Sequence, residues 1–310
     1  MPESNSKDDG SLVPHIALIT VQILFGTWPI LGKIALREIP PTELVALRTF
    51  GAALVFLILN RRFGGSQKIE PDDRYRIAFY GLLGVAANQL LFVKGLSMTT
   101  AISATLLQTS IPIFAYLIGI ATRADYLSVR KAIGIALAIS GVFLMVGPAA
   151  GFSGSSIEGN LFILGNSFCY GTYIAFSRDM VRKYGPLKLI TWNFVTGSLV
   201  TVPLGIIGAF SGPQPAISRP LVIGVVVIIL FPTVAAYFLN AWALTQVRPS
   251  VVTVYTYLQP LFVFSIAPLW LGERLTGTEI IASAAIIVGV IAVTWKSTGK
   301  VPEADLAGAD

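Results

Sequence analysis

Gln108-Thr109-Ser110-Ile111-Pro112-Ile113-Phe114 and, 148 residues on, Thr256-Tyr257-Leu258-Gln259-Pro260-Leu261-Phe262 are two copies of one segment. Working outward without a gap, Asp125 falls on Glu273, Leu127 on Leu275 and Gly141 on Gly289. Between Gln89–Val146 and Tyr237–Thr294, 12 of 58 pairs are identical. The chain contains an internal repeat. Each copy holds five apolar segments of membrane length, and because five is odd the second copy enters a bilayer upside down relative to the first.

Composition places the chain in lipid. Hydrophobic residues make up 54% and charged residues 12%, with a mean hydropathy of +0.75. That is too little charge to cover a soluble globule. About 20 residues rising 1.5 Å each cross roughly 30 Å of hydrocarbon, so 310 residues supply ten spans and leave no room for a large soluble domain. Apolar runs bounded by charges, Gly and Pro put the spans at 15–36, 42–59, 75–96, 99–121, 128–147, 159–181, 187–209, 220–244, 250–271 and 277–296. The expected fold is all-α and integral to the membrane, with ten transmembrane helices as two inverted five-helix repeats. The expected organisation is an N-terminal tail (1–14), repeat 1 (15–148), a linker (149–158) inside the Gly- and Ser-rich stretch Gly147–Gly159, repeat 2 (159–297) and a C-terminal tail (298–310). No basic n-region or small-residue cleavage site accompanies the first span, which therefore reads as a retained helix.

Lys and Arg set the orientation. With the N-terminus cytoplasmic, sixteen basic residues fall inside and six (Lys33, Arg37, Arg48, Lys94, Arg219 and Arg274) outside. The loop after span 2 has five basic residues, whereas its counterpart after span 7 has only Arg219. Opposite charge on equivalent loops is what inversion requires. Both tails are thus expected on the cytoplasmic side of an inner (plasma) membrane. The net charge of +6 reads as a topology signal, and no nucleic-acid partner is implied.

Several stretches resemble a known family. Gly95–Val146 is similar to the second half of an EamA domain of the drug/metabolite transporter superfamily, and Leu271-Gly272-Glu273-Arg274-Leu275 matches the family's LGERL. Phe25-Gly26-Thr27-Trp28 followed by Lys33, and Ala46-Leu47-Arg48-Thr49-Phe50, resemble patterns of the first EamA repeat. The likeness runs from about residue 15 to 297 and departs in repeat 1, where Arg123-Ala124-Asp125-Tyr126-Leu127 stands in place of LGERL. The resemblance implies ten helices around a central cavity, alternating access, and movement of small metabolites, often export of amino acids or related compounds.

The residues point the same way. Polar groups inside apolar helices are costly unless they face protein or a water-filled cavity, and this chain has Gln22, Asn88, Gln89, Gln108, Asn166, Asn193, Asn240 and Gln259, with Tyr173, Tyr237 and Tyr255 among its aromatic hydroxyls. Amides and phenols between apolar walls suit an uncharged or zwitterionic organic substrate, although the same groups also serve as helix-to-helix glue. Four-residue spacing puts Tyr255 and Gln259 on one helical face. Arg48 lies roughly 9 Å into span 2. With Lys33 and Lys94 on the same side it could attract an anionic group, or it could pair with Glu43 or Glu38 and lock helices together. The preferred substrate contacts are Trp28, Arg48, Gln89, Lys94, Tyr173, Asn240, Tyr255 and Gln259. The matched Pro112 and Pro260 are candidate hinges.

Other chemistry is poorly supplied. No Asp or Glu sits near the middle of a span, which disfavours proton or sodium coupling and leaves uniport or exchange. One His (His15) and one Cys (Cys169) cannot make a metal site or a Cys–His pair. The chain has no nucleotide-binding loop, HExxH or Gly-x-Ser-x-Gly. An enzyme is not expected, and neither is a cofactor. The expected partners are a small-molecule substrate and the lipid bilayer. Alternatives are a lipid-linked sugar or drug carrier of the same superfamily and, from another class, a non-transporting receptor or scaffold.

Overall fold

Prolines open the helices of this chain, at positions where a missing N–H costs nothing. The computed structural model describes residues 12–65, 67–122, 128–146, 156–211, 218–246 and 255–294. Residues 1–11 and 298–310 of the tails, 149–155 of the linker, the 123–127 stretch and the last residues of repeat 2 (295–297) lie outside the described residues. Proline stands in the first turn of α1 (Val13–Ala35), α2 (Pro41–Phe63) and α3 (Pro71–Gly81). A π-helical turn (Leu82–Ala87) joins α3 to α4 (Asn88–Met98). Then come α5 (Ala101–Gln108), α6 (Ile111–Ala121), α7 (Val129–Val146), α8 (Ile157–Tyr184) and α9 (Pro186–Ser211). A second π-helical turn (Leu230–Ala235) joins α10 (Arg219–Ile229) to α11 (Ala236–Gln246), and α12 (Leu258–Leu271) and α13 (Gly277–Thr294) follow.

The described residues form an all-helical membrane protein. Six helical stretches are long and apolar enough to cross a bilayer: Val13–Ala35, Pro41–Phe63, Pro71–Met98, Ala101–Ala121, Pro186–Ser211 and Arg219–Gln246. Leu258–Leu271 and Gly277–Ala292 are shorter apolar helices. The 148-residue spacing recurs in the elements: adding it to 71–81, 82–87, 88–98 and 129–146 gives 219–229, 230–235, 236–246 and 277–294, the bounds of α10, the second π turn, α11 and α13.

Small residues set how closely the helices approach. A Cβ on Gly141 would stand 2.6 Å from the Ala282 carbonyl oxygen, and one on Gly289 would stand 2.4 Å from that of Gly134. Each contact is the other shifted by 148. Contacts between α2 and α9 pass from Thr42–Gly208 through Thr49–Thr201 to Phe56–Thr191, so the two helices run antiparallel. The main core, including Trp28, Phe92, Leu96, Leu106, Ile163 and Val263, forms where α1, α4, α5, α8 and α12 meet.

The matched prolines open helices. In both places a turn stands just before the helix that carries the proline. Thr109 and Ser110 separate α5 from α6, and a turn at Thr256–Tyr257 precedes α12. Pro112 and Pro260 then sit in the first turns of new helices, where the ring is compatible with helix geometry.

Polar clasps tie elements at two places. Glu273 of the LGERL segment accepts the Ala101 and Ile102 amides at 2.8 and 3.0 Å, capping α5 with a carboxylate at the positive end of its dipole. Ser103 at that helix start donates to Glu279 at 2.7 Å. Elsewhere, Lys183 at the end of α8 donates to Glu70 and Asp73 at 2.7 Å each, and Tyr184 donates to Asp73 at 2.6 Å. These hydrogen bonds, that to Asp73 first, hold the Lys183 ammonium above its ordinary pKa. A raised lysine contributes stability that is fully present below its unfolded value and is lost as pH rises through the folded one. The clasp is therefore expected to persist from pH 5 to 9. Lys183→Met should open it at every pH in that range, read as faster hydrogen exchange at the start of α3 with α7 and α13 unchanged.

Candidate functional site

Where the elements of both repeats converge they leave a cavity of about 80 Å³. From the first half it takes Gln22, Phe25 and Trp28 of α1, Arg48 of α2, Asn88, Gln89 and Phe92 of α4, and Gln108, Ile111 and Pro112 at the α5–α6 break. From the second it takes Asn166, Tyr170 and Ile174 of α8, Tyr237 and Asn240 of α11, and Thr256 and Gln259 at the break before α12. The walls are aromatic and aliphatic with convergent amides and phenols, the usual make-up of a small-molecule site.

Arg48 dominates its electrostatics. Only 1% of the residue is exposed. Its Nε donates to Thr233 Oγ1 at 2.6 Å, one terminal nitrogen to Gln89 Oε1, and the other to the Pro232 carbonyl at 3.5 Å. The guanidinium carbon lies 3.7 Å from the centre of the Trp28 ring. The π turn supplies two of these acceptors. Its wider coil lets Thr233 Oγ1 donate to Ile228 O, five residues back, while accepting from Arg48. A guanidinium has five N–H donors in a fixed fork, so two remain free. No described carboxylate pairs with it. Glu38 is held by Ser218 at 2.9 Å. Glu43, five residues from Arg48 and so about 140° round the helix, lies against Gly205 and Gly208 of α9 with its Oε1 unbonded.

The wall is cross-linked between the repeats. Gln89 Nε2 donates to Tyr237 OH at 2.7 Å, and these two positions are themselves 148 apart. Gln259 donates to Gln22 at 2.6 Å, and Asn166 to the Asn88 carbonyl at 2.9 Å with its own Oδ1 left unbonded. Phe25 meets Tyr237 edge to face with ring centres 5.5 Å apart.

Of the residues expected from sequence, Trp28, Arg48, Gln89, Asn240 and Gln259 line this cavity, as does Pro112. Tyr173 stands one layer back, against Tyr170 at 5.7 Å, and accepts from Asn193 at 3.3 Å. Lys94 is exposed, five residues from Gln89 and on the opposite face of α4. Lys33 shares a shallow pocket with Arg37 and Glu273, so the three basic residues do not form one cluster. Tyr255 bonds His15 at 2.7 Å instead of sharing the face of Gln259, because the chain turns at Thr256–Tyr257 between them. Thr233 was missed. Its only sequence signal is the preceding Pro232, which withdraws a backbone donor inside an apolar helix.

The model of the "EamA-like transporter family" matches residues 13–147 and again 157–295. An "Uncharacterized transporter" of Archaeoglobus fulgidus is 26% identical over 284 residues, covering 91% of this chain and 97% of that protein. A "Probable terminal-alkyne amino-acid exporter" of Streptantibioticus cattleyicolor is 24% identical over 249 residues, 79% of this chain and 81% of that one. A WAT1-related protein of Arabidopsis thaliana is 24% identical over 330 residues, covering 94% and 83%. A protein crystal structure shares the fold with a TM-score of 0.62 at 19% identity, covering 91% of this chain and 96% of that one.

Proposed function

Because the chain belongs to the EamA-like transporter family, matched twice along its length, we propose that it exports small carboxylate-bearing metabolites, amino acids or close relatives, by alternating access at the Arg48 cavity. The observation that carries the reading is the cavity itself: contacts from both halves, apolar walls, and one buried guanidinium with two free N–H donors. Carboxylates take such a fork bidentately. The amino-acid exporter among the relatives supports the substrate class.

In this reading ten spans form two inverted repeats at 15–148 and 159–297, joined by the 149–158 linker, with both tails cytoplasmic in the inner membrane. The antiparallel α2–α9 pair and the reciprocal Gly141 and Gly289 contacts support the inversion. Rocking would turn on the breaks before Pro112 and Pro260, since a backbone already interrupted bends at little cost. Coupling to a proton is not invoked, and the carrier works as a uniporter or exchanger.

The test is purified protein in liposomes preloaded with labelled amino acids, organic acids, amines, nucleosides and sugars. Carboxylate-bearing labels are expected to leave selectively, whether or not a pH gradient is imposed. Selective loss of amines, nucleosides or sugars would overturn the substrate class, and efflux that follows the gradient would overturn uncoupled transport.

A further inference from the structure

Among the described residues no carboxylate answers the charge inside the cavity. Arg48 brings one full positive charge, and none of the cavity's lining residues is acidic. The sequence places no Asp or Glu in the interior of any span. Helix ends do not supply the missing counter-charge: α6 starts at Ile111 and Pro112 on the cavity wall, and Gln108, the last residue of α5, lines it beside them, so a positive and a negative helix end meet at that break. Neutral acceptors, Gln89, Thr233 and a carbonyl, satisfy part of the guanidinium but leave its charge uncompensated.

A zwitterion fits such a site badly. Its carboxylate would meet Arg48, but its ammonium would enter the same cavity with no carboxylate among the lining residues and a like charge nearby. A solute with one carboxylate and no ammonium gives a neutral pair and leaves nothing unmatched. This narrows the class read above and replaces the sequence-level expectation of an uncharged or zwitterionic cargo.

Resting on the carrier reading, we infer that the transported solute carries net negative charge, a monocarboxylate whose nitrogen, if present, is acylated or absent. Each outward step then moves one negative charge out of an interior held negative. As uniport, export is electrogenic. The membrane potential supplies the driving force that no intramembrane carboxylate is placed to supply by carrying a proton. A charge crossing 100 mV is worth about 2.3 kcal/mol, or about a 50-fold shift in the inside-to-outside ratio.

The experiment uses full-length protein in liposomes loaded with matched labelled probes: leucine, N-acetyl-leucine, leucine amide and N-acetyl-leucine amide, with the same set for phenylalanine. Valinomycin and a potassium gradient set the interior at zero or about 100 mV negative. The expected result is efflux of the N-acetyl acids, faster with a negative interior and driven toward that 50-fold limit. Efflux of the zwitterionic or neutral members, indifferent to potential, overturns the inference and leaves the carrier reading standing. Retention of every probe overturns both.

Discussion

Arg48→Gln is expected to lower efflux of an anionic carboxylate through this protein by roughly 30- to 1,000-fold, corresponding to about 2–4 kcal/mol for a buried charge-assisted, bidentate contact. Glutamine keeps hydrogen-bonding capacity but loses the charge and the fork. The effect should be selective. Hydrogen-exchange protection of α7 and α13, away from the cavity, is expected to stay unchanged, and that split separates loss of an anchor from loss of the fold. Arg48→Lys is expected to restore little. An ammonium is a point donor that cannot span Thr233 and Gln89 while keeping its flat contact with Trp28. Measuring initial efflux rates of the N-acetyl acids at several loading concentrations checks this, and rates within a few-fold of the parent protein would count against Arg48 as the anchor.

Gly289→Ala is expected to be the most destabilising single-methyl change among the glycines between α7 and α13. The added Cβ would lie 2.4 Å from the Gly134 carbonyl oxygen and 2.7 Å from the Ala138 nitrogen. Both are backbone atoms, which no rotamer change can move aside. Forcing the helices apart costs about 1–3 kcal/mol, and for a chain of this size that lowers the unfolding midpoint by about 2–10 °C. Gly224→Ala, in α10 with nothing within 4 Å of its would-be Cβ, should do the opposite or nothing, since alanine is favoured over glycine in a helix by up to about 1 kcal/mol. Thermal unfolding of the two variants in detergent decides the matter. A Gly289→Ala protein as stable as the parent would mean that the helix pair is not tightly packed there.

The parts of this architecture that could be read in advance were those with a sequence-local cause. The matched prolines stand in the first turns of the helices that follow the two turns, because a proline there leaves no backbone donor unpaired. Pro29, Pro203 and Pro268 lie inside helices, so it was the match between copies and not proline alone that pointed to these places. Arg48 could be read because a charge six residues inside an apolar run has few tolerable environments. The π turn at Leu82–Ala87 could not, since Leu-Leu-Gly-Val-Ala-Ala is as good an α-helix as a π-helix until tertiary contacts choose. Thr233 acquires its role from that geometry in the other half. Tyr255 was placed by counting along a continuous helix, and one turn of irregular backbone was enough to send it to His15 instead. Lys94 shows the reverse case. Helical phase alone puts it about 140° from Gln89, and both residues could be placed on one wall only by treating depth in the membrane as if it were direction.

The hydrogen bond between Gln89 and Tyr237 joins two positions that correspond to each other in the repeat. In a pair of separate, identical chains such a position would meet its own copy, and every residue facing the centre would appear twice. Two arginines would then confront one another across the cavity. Here the residue 148 positions beyond Arg48 is Thr196. Joining both halves in one polypeptide frees each side to differ, and a solitary central charge is possible only because that freedom has been used. The cavity consequently has a handed interior: its guanidinium comes from the first half and is faced by Tyr170, Tyr237 and Asn240 of the second.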